Sequence, residues 1–89
     1  MTELDASPIE YPVDFPIKVM GKNARGFVQT VTSIVLRHAP DFDPATVEMR
    51  PSRNNTYLSV TCTINATSRE QLDALYTELS GNPLVVMVL

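Results

Sequence analysis

The sequence predicts a small α+β domain of the split βαβ, ferredoxin-like type. Three observations carry this reading. A ten-residue stretch, Tyr57 to Ala66, alternates Leu58, Val60, Cys62 and Ile64 with polar residues, as a strand with one face on a core does. Phe27, Val28, Val31, Ile34, Val35 and His38 recur at helical spacing, and so do Leu72, Leu75, Tyr76 and Leu79. Eighty-nine residues then leave room for one core and one βαββαβ order around it.

The elements follow in order. Residues 1–13 contain Pro8, Pro12 and several acids and are expected to form an extended or flexible tail, although Ile9, Tyr11 and Val13 alternate and could lie along the domain. The domain proper is 14–89. Its first strand runs from about Phe15 to Met20, with Phe15, Ile17 and Val19 on one face. Pro16 cannot donate to a ladder, so it must sit at the strand's start or where a neighbouring strand is missing. Gly21-Lys22-Asn23 makes a turn with Asn23 as the expected N-cap. The first helix ends at Ala39-Pro40, since the residue before proline is pushed out of the helical region.

A loop at Asp41 to Pro44 leads to a strand from about Thr46 to Arg50, with Val47 and Met49 expected inward. Ser52 to Asn55 connects it to the long strand as a hairpin. Thr67 and Glu70 are placed as a capping box for the second helix, and Gly81 as its left-handed C-cap. Leu84 to Leu89 forms the last strand. Right-handed crossovers and a shared apolar face select an antiparallel sheet of order 4-1-3-2 with both helices on one side.

Composition excludes several classes of function. A hydrophobic fraction of 44% and a charged fraction of 19% suit a folded chain. One cysteine, Cys62, rules out an intrachain disulfide and a cysteine metal cluster. No apolar run approaches the roughly 20 residues that span a bilayer. The acidic N-terminus resembles no targeting segment, so a cytoplasmic location is expected. Net charge is −3, and the seven basic residues are spread from Lys18 to Arg69. A nucleic-acid partner is therefore not expected. RNA stacking also needs aromatic residues, and the outward face of Lys18, Arg50, Tyr57, Ser59, Thr61 and Thr63 supplies one.

Catalytic chemistry finds no constellation. His38 reads as a last-turn helix residue with its ring inward, and Cys62 as a buried, inert thiol. Asp41 and Asp43 lack the glycine and terminal glutamate of a calcium loop. The chain is accordingly expected to be no enzyme, with no cofactor and no metal.

Two features invite binding. The turn from Gly21 to Phe27 joins a strand to a helix start, where free backbone N–H groups face outward. Gly21 and Gly26 permit close approach, and Lys22, Asn23 and Arg25 could meet a small anionic or amino-acid-like ligand. The plainer reading has Gly26 relieving helix–sheet crowding beside solvated cations. The second feature is the wholly apolar last strand, an edge in this order, with Leu84, Val86 and Val88 expected to meet a partner. Either the tail around Ile9 and Tyr11 covers it, or another chain does, in a homodimer or with a different protein.

Several segments together resemble the YbeD-like family of small bacterial proteins. They are Tyr11-Pro-Val-Asp-Phe-Pro-Ile-Lys-Val-Met-Gly21, Arg37-His-Ala-Pro40, Ser59-Val-Thr-Cys-Thr-Ile-Asn-Ala-Thr67 and Val86-Met-Val-Leu89. The resemblance implies a ferredoxin-like fold akin to ACT domains, whose ligand sites use the first strand–helix loop, commonly at a dimer interface. Genes of the family often neighbour lipoate-attachment genes, which implies a link to lipoate metabolism. The expected function is a non-catalytic regulatory or small-ligand-binding domain. The alternatives are a protein-interaction adaptor, using the sheet face or the last strand, and an RNA-binding module.

Overall fold

The structure is a computed structural model that describes residues 10–89. Ile9, and with it the alternation expected to continue from Tyr11, lies outside the described residues. The elements are β1 (Val13–Lys22), α1 (Phe27–His38), β2 (Glu48–Pro51), β3 (Tyr57–Ala66), α2 (Arg69–Gly81) and β4 (Val85–Val88). The sheet order is β2-β3-β1-β4 with every pair antiparallel, which is the predicted 4-1-3-2 read from the other edge.

The alternation in β1 and β3 sets their pairing. Val13 opposes Ala66 and Lys22 opposes Tyr57, with Ile17–Cys62 and Val19–Val60 between them on the inner face. All four of those inner side chains are completely buried. Phe27, Val31, Ile34 and Val35 of α1 and Leu72, Leu75 and Leu79 of α2 close over them. Each such side chain contributes about 1.5–3 kcal/mol through burial.

Pro16 occupies the position that its chemistry requires. Lys18 exchanges backbone bonds with Leu89, so even-numbered residues of β1 point their main chain toward β4. The β1–β4 pairing stops at Lys18, and the missing N–H of Pro16 therefore faces no strand among the described residues.

Several local expectations are corrected. β1 extends two residues beyond each predicted end, because β3 pairs along its whole length. Asn23 is not the N-cap of α1. That position is Gly26, with φ 87 and ψ −6 and no side-chain cap bond. The cap of α2 is Ser68, whose hydroxyl accepts from Gln71 N–H at 3.1 Å, and not Thr67 with Glu70. The Gln71 side chain accepts from the Thr67 N–H at 2.7 Å, so Gln71 takes the back-reaching part expected of Glu70, and its bond goes to the residue before the cap.

Gly81 lies inside α2 without a left-handed φ, and the helix stops at Asn82, whose backbone is extended (φ −81, ψ 131). β2 begins at Glu48, after a 3-10 turn at Pro44–Thr46 has taken the predicted first residue. Met49, expected inward, pairs with buried Val60 yet is 55% exposed, because β2 is an edge strand and the helices lie over β1, β3 and β4.

Candidate functional site

The β1–α1 loop is built around two glycines with different roles. Gly21 is buried, and a β-carbon there would collide with the Leu84 carbonyl and the Phe27 ring. Gly26 has open space around it. Its φ of 87 is what the third position of a type II turn demands, and the Phe27 N–H closes that turn on the Ala24 carbonyl at 3.2 Å. Crowding is thus relieved at Gly21, not at Gly26.

Asn23 turns away from the helix. Its N–H donates to the Thr56 carbonyl at 2.9 Å and its Nδ2 to the Asn55 carbonyl at 3.2 Å, tying the loop to the β2–β3 hairpin. Lys22 and Arg25 are exposed. Of the five expected ligand residues, Gly21 is thus packed against Phe27, Asn23 is turned to the hairpin, and Lys22 and Arg25 face solvent. Gly26 lines an open groove of about 330 Å³ with Gln29, Thr30, Ser33, Ile34, Arg37 and Asn82.

The β4 edge has a bulge that resets its faces. Met20 pairs with Met87 and Gly21 with Val85, which leaves Val86 without a partner on β1. Val88 opposes Val19 and packs on the core together with Val85, whereas Leu84, Val86 (62% exposed), Met87 and Leu89 (60%) reach solvent. Of the three edge residues expected to meet a partner, Leu84 and Val86 are thus on the surface and Val88 is half-buried.

On the sheet face away from the helices, the registers line up two rows. One runs Glu48–Thr61–Lys18–Leu89, and the next Arg50–Ser59–Met20–Met87. Two contiguous depressions share Arg50 and Ser59. The first, of about 290 Å³, also touches Lys18, Glu48, Met49 and Thr61. The second, of about 180 Å³, touches Met20, Pro51, Ser52 and Tyr57. Lys18, Arg50, Tyr57, Ser59 and Thr61 are legible in the sequence as outward residues. Met20, Met87, Leu89 and Glu48 escape that reading, although the even-numbered parity of β1 already places Met20 beside Lys18.

The remaining chemical groups are used structurally. Glu78 of α2 bonds His38 Nε2 at 2.7 Å and also pairs with Arg37, and these two partners hold its carboxyl below the usual range. Gln71 Nε2 donates to the His38 carbonyl at 2.8 Å, a second α1–α2 tie. Cys62 is fully buried and its thiol is pushed up to about 11 by desolvation. Asp43 caps the 3-10 turn through the Ala45 N–H at 3.0 Å. Among the described residues no three His, Cys, Asp or Glu side chains gather to hold a metal ion, and no helix is long and apolar enough to cross a membrane.

Comparison with known proteins places this geometry in a lineage. The chain is 62% identical over 89 residues to a UPF0250 protein of Nitrosomonas europaea, covering all of both chains. It is 60% identical over 85 residues to a UPF0250 protein of Bordetella pertussis, covering 96% of this chain and 93% of that one. Among solved structures, protein HP0495 from H. pylori superposes with a TM-score of 0.75 at 15% identity, over 93% of this chain and 87% of that one. The ACT domain from GTP pyrophosphokinase of Chlorobium tepidum gives 0.65 at 18% identity, over 86% and 97%. These two likenesses establish an ACT-like, ferredoxin-like fold. Residues 6–89 match the family described as protein of unknown function DUF493, and the chain belongs to this family of small UPF0250, YbeD-like bacterial proteins.

Proposed function

We propose that this protein is a non-catalytic, cytoplasmic interaction module whose working surface is the open sheet face together with the β4 edge. The observation that carries the reading is the continuity of the Lys18–Arg50–Tyr57 trough with the exposed apolar residues Met87 and Leu89. Apolar surface beside a strand edge that is unpaired among the described residues suits a polypeptide partner, which can add main-chain bonds and fill alternate side-chain positions. A small molecule is served less well. Ligand pockets enclose most of their ligand, and these depressions are broad and shallow. The tight space at Gly21 is moreover already filled by Phe27.

Affinity capture from the native cell tests this with wild-type protein and Met87→Lys, the eluates being analysed for proteins and small molecules. A protein retained by the wild type and lost from the variant, at equal melting temperatures, is the expected result. Identical eluates, or a small molecule as the sole specific component, would overturn the reading.

A regulatory, ligand-binding role has a narrower support: exposed Lys22 and Arg25 on a loop of an ACT-like fold. A rise in melting temperature with amino acids, lipoate or octanoate, abolished by Arg25→Ala, is its signature. Lipoate and octanoate are the probes that address a link to lipoate metabolism.

A further inference from the structure

The chain carries a net charge of −3, yet it has no Asp or Glu from Phe15 to Pro40 or from Met49 to Arg69. Folding puts these two acid-free stretches side by side. β1 pairs with β3 along ten residues, and Asn23 binds the β1–α1 loop to the hairpin at Asn55 and Thr56. Five of the seven basic residues therefore gather on the open face and at one of its ends: Lys18, Lys22, Arg25, Arg50 and Arg53. All five are exposed, and among the described residues none is in an ion pair. Among the described residues Glu48 is the single acid lining the trough, and Asp14 stands at the opposite end of β1.

This concentration is invisible along the chain, where Lys22 and Arg50 are far apart. It creates a basic pole on an acidic protein. A pole of one sign attracts a partner of the other and orients its approach. The trough beneath Arg50 runs parallel to β3 from Thr61 to Tyr57. At the strand rise that is about 13 Å, the length of four extended residues. Its walls alternate cation and apolar surface: Lys18 and Arg50 beside Met20, Tyr57 and the Pro51 ring.

Resting on the reading of the open face as the working surface, we propose that its occupant is an acidic polypeptide segment bound in extended form. Carboxylates of the segment meet Lys18 and Arg50, its apolar residues lie on Met20 and Tyr57, and Lys22, Arg25 and Arg53 steer it in. A nucleic acid fits less well. Among the described residues Tyr57 is the one aromatic lining this trough, so bases have almost no stacking platform, and Glu48 repels a phosphate backbone.

The test is fluorescence anisotropy on the full chain with three labelled probes. They are a peptide alternating glutamate with leucine, a peptide alternating lysine with leucine, and a single-stranded oligonucleotide. The acidic peptide is expected to bind and the basic one not, with affinity falling as salt rises. Arg50→Glu and Lys18→Glu should each weaken it roughly three- to tenfold. Arg69→Glu, at the start of α2 in the helical layer, should leave it unchanged.

Tighter binding of the oligonucleotide, or equal losses in Arg50→Glu and Arg69→Glu, would overturn the proposal. So would absence of binding by the acidic peptide. If that happened while a native protein was still lost from Met87→Lys, the open-face reading would stand and only the acidic partner would fall.

Discussion

The Phe27 ring stands where a β-carbon on Gly21 would be, with its Cζ 2.7 Å from that position. The first residue of α1 thus packs directly on the backbone of β1, and the Leu84 carbonyl closes the other side. Gly21→Ala drives a β-carbon into the Leu84 carbonyl and the Phe27 ring and should cost about 1–3 kcal/mol, read as a lower urea midpoint. Gly26→Ala meets no atom but is strained by its φ of 87, at about 1–2 kcal/mol. The two are separable by Phe27→Leu. That change should recover part of the loss in Gly21→Ala and none in Gly26→Ala. Equal recovery in both would contradict the contact.

Glu78 joins the two helices through His38 and Arg37. Its carboxyl is held below the ordinary value of 4.5, chiefly by the hydrogen bonds from Arg37 and His38. A group whose folded value is depressed adds stability above its unfolded value and loses it as pH falls through the folded one. The gap in urea midpoint between wild type and Glu78→Gln should be full at neutral pH and shrink as pH drops below 4.5. A gap constant over that range would show that the pairing does not depend on the carboxylate's charge.

Cys62 shows the opposite sign. Desolvation raises its thiol from 9.0 to about 11, so the folded state holds its proton where the unfolded chain releases it. Stability is fully present below pH 9.0 and is lost as pH climbs toward 11. Cys62→Ala should flatten this alkaline decline relative to wild type. In the native protein the thiol should resist iodoacetamide near neutral pH and react once urea unfolds the chain. Rapid native labelling would place the thiol outside the core.

How much of this is legible in the sequence depends on the range of the cause. β3 can be read residue by residue, because one periodicity over ten positions outweighs any local ambiguity. The order of strands follows from it. Gly21 and Gly26 cannot be told apart, since the one is fixed by a helix residue packing back on the strand and the other by its own φ. Val88 departs from expectation for a related reason: the bulge opposite Met20 and Gly21 breaks the alternation along β4, so Leu84 and Val86 reach solvent while Val88 turns toward the core. The basic pole is hidden most completely. Lys18 and Lys22 lie about thirty residues from Arg50 and Arg53 along the chain, and only the β1–β3 pairing brings them together.

Asn23 offers a direct trial of such a non-local cause. As the N-cap that local spacing suggests, Asn23→Asp would be neutral or helpful, because aspartate caps as well as asparagine and favours the positive helix end. In the structure Asn23 instead donates Nδ2–H to the Asn55 carbonyl, and Asn55 itself holds a positive φ of 62 in the hairpin. Aspartate cannot donate, and it sets a carboxylate against a carbonyl about 3 Å away. The substitution should cost about 0.5–1.5 kcal/mol, the net value of one hydrogen bond. It should also speed amide exchange at Asn23, whose N–H is held by the Thr56 carbonyl across the same contact. Asn23→Ala, which removes the donor without adding charge, should fall between wild type and Asn23→Asp. A more stable Asn23→Asp protein would return the residue to the helix and detach the loop from the hairpin.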